Sequence, residues 1–180
     1  MTVNLKSLIA KLNSPTRSAL EAAAGLCLSR THYNVEIEHY LMKLMEASDN
    51  DAARIFYRFS VNGSRLTADL TRSLDKLKSG NARTPAISPS VLKMLVQAWT
   101  LGSIDYGAGQ VRSGFTILAL LTDEELARIV REISREWLKL EADALRKDFP
   151  AVVRGSVEDD LTAAAPAYAP EGAPHPAAGG

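Results

Sequence analysis

His32, Glu36 and His39 follow one another at intervals of four and three residues, a spacing at which a helix or turn can gather imidazole and carboxylate groups around one metal ion. A plainer chemistry competes with that one. Glu36 and Glu38 fall at the start of a helix, where acidic side chains accept from free backbone N–H groups and oppose the positive end of the dipole. His39 can bond within the same turn, so capping is the expected role and no metal ligand is assigned. Cys27 and His32 suggest a nucleophile and its base, but on a helix end five residues turn through roughly 500°, leaving the side chains about 140° apart. Cys27 is therefore expected in the core, and no catalytic residue is assigned. No Gly-x-x-x-x-Gly-Lys-Ser/Thr phosphate loop occurs in the 180 residues, so this chain has no Walker-type means of holding ATP.

Composition narrows the partners. Lysine plus arginine and aspartate plus glutamate number 21 each, so no net positive charge is available for nucleic acid or an anionic membrane. No run of about 18 apolar residues exists to span a bilayer, and Met1 to Leu12 has helical spacing instead of a signal peptide's continuous apolar core. A single cysteine cannot form an internal disulfide. A cytoplasmic setting is expected.

The elements that would position any site are helical. Leu5, Leu8, Ile9 and Leu12 share one face of a short first helix. Asn13 or Ser14 can cap the next, with Pro15 in its first turn, and it carries Ala19, Leu20, Ala24, Cys27 and Leu28. Ile37, Tyr40, Leu41 and Leu44 mark a further helix, and Ile55, Phe56 and Phe59 another. Ser64 is expected to cap a helix bearing Leu66, Leu70, Leu74 and Leu77. Ser88-Pro89 then repeats the cap-and-proline start ahead of Val91, Leu92, Leu95, Val96 and Trp99. A helix over Phe115 to Leu121 follows, then one starting in a Thr122 to Glu125 capping box. A last helix carries Trp137, Leu138, Leu140 and Leu145 and ends at Pro150.

No segment alternates with period two, so the fold class is all-α. Two four-helix halves begin about 75 residues apart, which indicates an internal duplication. The expected organisation is an extra helix over residues 1–13, a duplicated domain over 14–153 with repeats near 14–80 and 88–153, and an Ala/Pro/Gly-rich linker over 154–180, too poor in large apolar residues to pack and expected to be disordered.

A duplicated four-helix unit containing Val35-Glu36-Ile37-Glu38-His39-Tyr40-Leu41 resembles the Clp N-terminal domain, whose repeats carry a hydrophobic-x-x-Glu-His-x-Leu segment here. The second copy, Val111-Arg-Ser-Gly-Phe-Thr-Ile117, lacks the Glu-His pair. The opening Leu5-Lys-Ser-Leu8-Ile-Ala-Lys-Leu12-Asn13, with Leu20-Glu-Ala-Ala-Ala24 and Leu26-Cys-Leu-Ser-Arg-Thr-His32, is similar to the ClpV family of type VI secretion unfoldases; general Clp disaggregases lack the early helix. The resemblance covers about residues 3 to 153. It implies an N-domain of a hexameric AAA+ unfoldase with ATP and magnesium in ATPase modules outside this sequence. It also implies a partner, the N-terminal helix of the sheath subunit (VipB/TssC type), bound for ATP-driven disassembly of the contracted sheath. The isolated domain is expected to be monomeric.

The helix over residues 15–30 supports a docking role from the residues themselves. Leu20, Ala24, Cys27 and Leu28 define one apolar face, and Ala19, Ala22, Ala23 and Leu26 a second where a simple surface helix would be polar. Either the early helix or a partner helix can cover it. Joining the two gives a groove for an amphipathic helix, expected to be lined by Leu5, Leu8, Leu12, Thr16, Ala19, Leu20, Ala22, Ala23, Leu26 and, from the inter-repeat loop, Ile87. The other readings are a general substrate- or adaptor-binding N-domain of ClpB/ClpA type, a helical enzyme using His32, Glu36 and His39, and a structural spacer.

Overall fold

Most of the helices start at a side chain that satisfies a free backbone N–H. In the computed structural model, which describes residues 3–159, Asn4, Asn13, Asn50, Asn62, Ser88 and Asp123 each accept from an amide in the first turn of the helix that follows, as short polar side chains at this position do. The helices are α1 (Leu5–Ala10), α2 (Ser14–Ser29), α3 (Ile37–Glu46), α4 (Asp51–Arg58), α5 (Gly63–Asp75), α6 (Pro89–Tyr106), α7 (Ser113–Thr122), α8 (Glu124–Ile133) and α9 (Ala142–Val152). Two expected caps move. Asn62 rather than Ser64 caps α5, and Asp123 rather than Thr122 caps α8. In both cases an Asx carboxyl or amide oxygen sits three residues before the amide that it accepts from.

The last expected helix is in two parts. Trp137 and Leu138 lie in a 3-10 turn, Arg135–Lys139, and α9 begins only at Ala142. Pro150 lies inside α9 instead of ending it. A proline here removes the N–H that would bond the carbonyl of Arg146, and the Tyr106 hydroxyl donates to that carbonyl at 2.6 Å instead. The helix continues because the missing donor is replaced from α6.

The duplication is visible as a pseudo-two-fold arrangement, α2–α5 and α6–α9, with α1 outside both. Strand β1 (Asn34–Val35) pairs in parallel with β2 (Ala86–Ile87), placing Val35 beside Ile87, and Leu12 forms a parallel bridge with Val111. Each short pairing joins the turn before one repeat's second helix to the entry of the other repeat's first helix. On the axis itself, Tyr40 and Thr116, 76 positions apart, share a 2.8 Å hydrogen bond. Helix α7 runs through the centre, buried from Ser113 to Leu120. That explains why the second copy lacks the Glu-His pair: Gly114 and Phe115 take those positions. A Cβ on Gly114 would lie 2.5 Å from the Phe149 ring and 2.9 Å from Asp51 Oδ2, so no side chain fits there.

The expected linker start at Arg154 meets a packed segment. Ser156 and Glu158 are buried, and the Val157 N–H donates to the Asp49 carbonyl at 2.9 Å. The rest of the expected linker, residues 160–180, lies outside the described residues.

Candidate functional site

Helix α2 buries Thr16, Ala19, Leu20, Ala23 and Cys27. At 100° per residue these five form one stripe, whose centre falls between the two apolar faces expected from the sequence. The core therefore takes Leu20 and Cys27 from one face and Ala19 and Ala23 from the other. What remains of the second face is a surface strip: Ala22 and Ser18 are exposed, and Pro15 and Leu26 are half-buried. With Ser29 this strip runs the length of α2, about 21 Å, without a charged side chain. The opposite flank is different in kind, carrying Arg17, Glu21 and the exposed Leu28.

The expected groove residues thus divide. Leu8, Leu12, Thr16, Ala19, Leu20 and Ala23 are buried, while Ala22, Leu26, Leu5 and Ile87 keep exposed surface. Ile87 is brought to α2 through β1, which packs on α2 and pairs with β2. Leu12 has the matching place at the other bridge but is 1% exposed, whereas Ile87 is not fully covered. The early helix meets both α6 and α2. Its helix packing is against α6, with the Lys11 ammonium 5.0 Å from the centre of the Trp99 ring. Its tie to α2 is a 3.5 Å contact from Arg17 Nη2 to the Ile9 carbonyl. Ile9 and Trp99, absent from the expected set, are half-buried here, and each was legible only as a core residue of its own helix.

His32, Glu36 and His39 form a structural cluster. The Glu36 N–H donates to His39 Nδ1 at 2.9 Å, and the two residues form a reciprocal capping box at the start of α3. With Nδ1 an acceptor, a neutral His39 carries its proton on Nε2, which lies 2.8 Å from His32 Nδ1. His32 then accepts and keeps its own proton on Nε2. Burial lowers both histidines' pKa values, that of His39 to about 4, with His32 and Arg30 adding to the effect. Burial, with Glu36 nearby, raises that of Cys27, whose carbonyl accepts from the His32 N–H at 3.0 Å. Among the described residues no group of three or more His, Cys, Asp or Glu is arranged to hold a metal ion, and no helix is long and apolar enough to cross a membrane.

A second buried polar cluster went unforeseen. Asp51 accepts from Arg112 Nε and Nη2 at 2.6 and 2.8 Å and from the Ser156 hydroxyl at 2.7 Å. Burial raises the Asp51 pKa while Arg112 opposes the shift. Glu158 accepts from the Asp51 and Ser113 N–H groups, both at 2.7 Å, and from Asn13 Nδ2 at 3.0 Å. The available signal was Ser156-x-x-Asp159, a helix-start pattern, inside a stretch that composition marked as linker.

The fold has relatives among known proteins. The family model for the Clp repeat (R) N-terminal domain matches residues 11–134. The AAA+ ATPase ClpV1 of Pseudomonas aeruginosa is 33% identical over 157 residues, which is 87% of this chain and 17% of that protein. The chain thus spans about a sixth of that relative's length. A chain solved in work on the coevolution of the ATPase ClpV, the TssB–TssC sheath and the accessory HsiE protein superposes with a TM-score of 0.84 at 30% identity, covering 87% of this chain and 97% of that one. A ClpV N-domain in complex with a VipB peptide gives 0.73 at 27% identity, with 88% and 96% covered.

Proposed function

The chain belongs to the Clp repeat N-terminal domain family, and from that premise we propose that it is the substrate-recruiting N-domain of a ClpV-type unfoldase, docking an amphipathic helix of the type VI sheath subunit. The observation that carries this reading is the charge-free strip of α2, with Ala22 exposed and Leu26 half-buried. Small residues let a second helix approach closely, and the half-buried Leu26 offers apolar contact within the strip. A solved neighbour with this fold holds a peptide of VipB, which supports a helix of that origin as the ligand.

The energetics suit a ring better than a single domain. Three apolar contacts at roughly 1.5–3 kcal/mol each give about 5–9 kcal/mol gross, from which association and ordering remove several. One domain therefore binds weakly, and a hexameric ring gains by avidity on an array of exposed helices. ATP and magnesium, the ring, and sheath disassembly belong in this reading to ATPase modules of the longer protein.

Ala23 is fully buried, so a charge there would disrupt the fold and would not report on docking. The informative variants are A22D and L26D, tested by fluorescence anisotropy with a labelled N-terminal sheath peptide. Each is expected to weaken binding about tenfold or more, the equivalent of one lost apolar contact, with helicity unchanged. Full affinity in both variants would move the site off α2.

A further inference from the structure

We propose that Glu158 is a positioning residue for the docking face, holding the first turn of α2 in place from the far end of the domain. The inference rests on the docking reading above. Glu158 follows α9 and is fully buried, and its carboxylate meets the starts of three helices. Its Oε1 accepts from the Ser113 N–H of α7 at 2.7 Å and from Asn13 Nδ2 at 3.0 Å, across 145 positions. The Thr16 hydroxyl approaches the same oxygen at 3.5 Å. Its Oε2 accepts from the Asp51 N–H of α4 at 2.7 Å and from the Ser113 hydroxyl at 2.5 Å. Helix N-termini carry partial positive charge and free N–H donors, so their convergence accounts for a carboxylate so deep in the domain.

The effect on docking runs through Asn13. That side chain does two jobs: its Oδ1 accepts from the Thr16 N–H at 3.0 Å, capping α2, while its Nδ2 donates to Glu158. Fixing Nδ2 fixes the oxygen that caps the helix. Without Glu158 the amide is free to rotate, and the first turn of α2 loosens at the head of the strip that includes Ala22 and Leu26. Ser156 ties the same segment to α4, its hydroxyl donating to Asp51 Oδ1 at 2.7 Å and accepting from the Glu158 N–H at 3.1 Å.

The test uses the whole 180-residue chain, with residue-resolved amide exchange read beside affinity for an N-terminal sheath peptide. Two variants separate positioning from general stability. E158A removes the carboxylate. N13D keeps a side chain that caps a helix as well as asparagine does but sets one carboxylate against another in place of the Nδ2 donor. Both are expected to speed exchange at Thr16 and Arg17 about fivefold or more and to weaken peptide binding about fivefold, the scale of a lost cap. The double variant is expected to bind no more weakly than E158A alone, since both act on one hydrogen bond. Unchanged Thr16 protection in N13D, or losses that add in the double variant, would overturn the proposal, and N13D decides alone if E158A does not fold. Absence of peptide binding by the unmodified chain would contradict the docking reading, while the exchange at Thr16 would still decide whether Glu158 holds α2.

Discussion

Two histidines that contact each other in a buried turn make the stability of this domain depend on pH in a defined direction. His39 has its pKa lowered from 6.5 to about 4 by burial, with His32 and Arg30 adding to it. As pH falls the unfolded chain takes up the proton first, so the contribution is complete above about 6.5 and is lost towards 4. Between pH 7.5 and 5 His39 alone costs about 2 kcal/mol, read as a fall in denaturation midpoint. H39Q keeps an acceptor for the Glu36 N–H, since glutamine suits the third position of a capping box, and should flatten this part of the profile. A midpoint that falls equally in H39Q would place the titration elsewhere. The capping role was legible because Glu36, Glu38 and His39 stand where a helix must start. The contact from His39 to His32 was not, because it depends on the path of the loop between α2 and α3. Glu158 was less legible still: an acid in a segment of linker composition reads as solvated until the helix starts around it are seen to converge.

At the scale of elements, the duplication decides which helix is innermost. Helix α7 occupies the centre, and Gly114 lets Phe149 and the Asp51 carboxylate close over it. G114A is expected to destabilise the domain by about 1–3 kcal/mol, the usual cost of overpacking a dense core, lowering Tm by roughly 3–10 °C for a domain of this size. Thermal unfolding followed by circular dichroism checks this, and an unchanged Tm would mean that α7 is packed more loosely than described. Helix number, order and type followed from three- and four-residue apolar spacing and from Ser-Pro and Asn-Ser-Pro starts. Placement did not. Nothing in Leu5, Leu8 and Leu12 says that α1 packs on α6, because an apolar stripe records that a face is covered and not by what. The same limit merged the two apolar faces of α2 into one buried stripe and one open strip.

For the molecule as a whole, the proposed docking role rests on membership of the Clp repeat N-terminal domain family and on the uncharged strip that α2 leaves at the surface. In the proposed reading the strip on α2, with its first turn positioned by Glu158, receives a short helix. Over residues 5–29 Lys6, Lys11 and Arg17 outnumber the one acid, Glu21, so affinity for a helix with acidic flanks should fall as salt is raised from low to high ionic strength. Salt-independent binding would mean that these cations play no part. The most direct measurement is a titration of the isotopically labelled domain with the N-terminal helix of a type VI sheath subunit, followed by amide chemical shifts. The account predicts shifts concentrated at Ser18, Ala22, Leu26 and Ile87, saturating at weak affinity for the single domain. Saturable shifts confined to α8 and α9, or none at millimolar peptide, would contradict it.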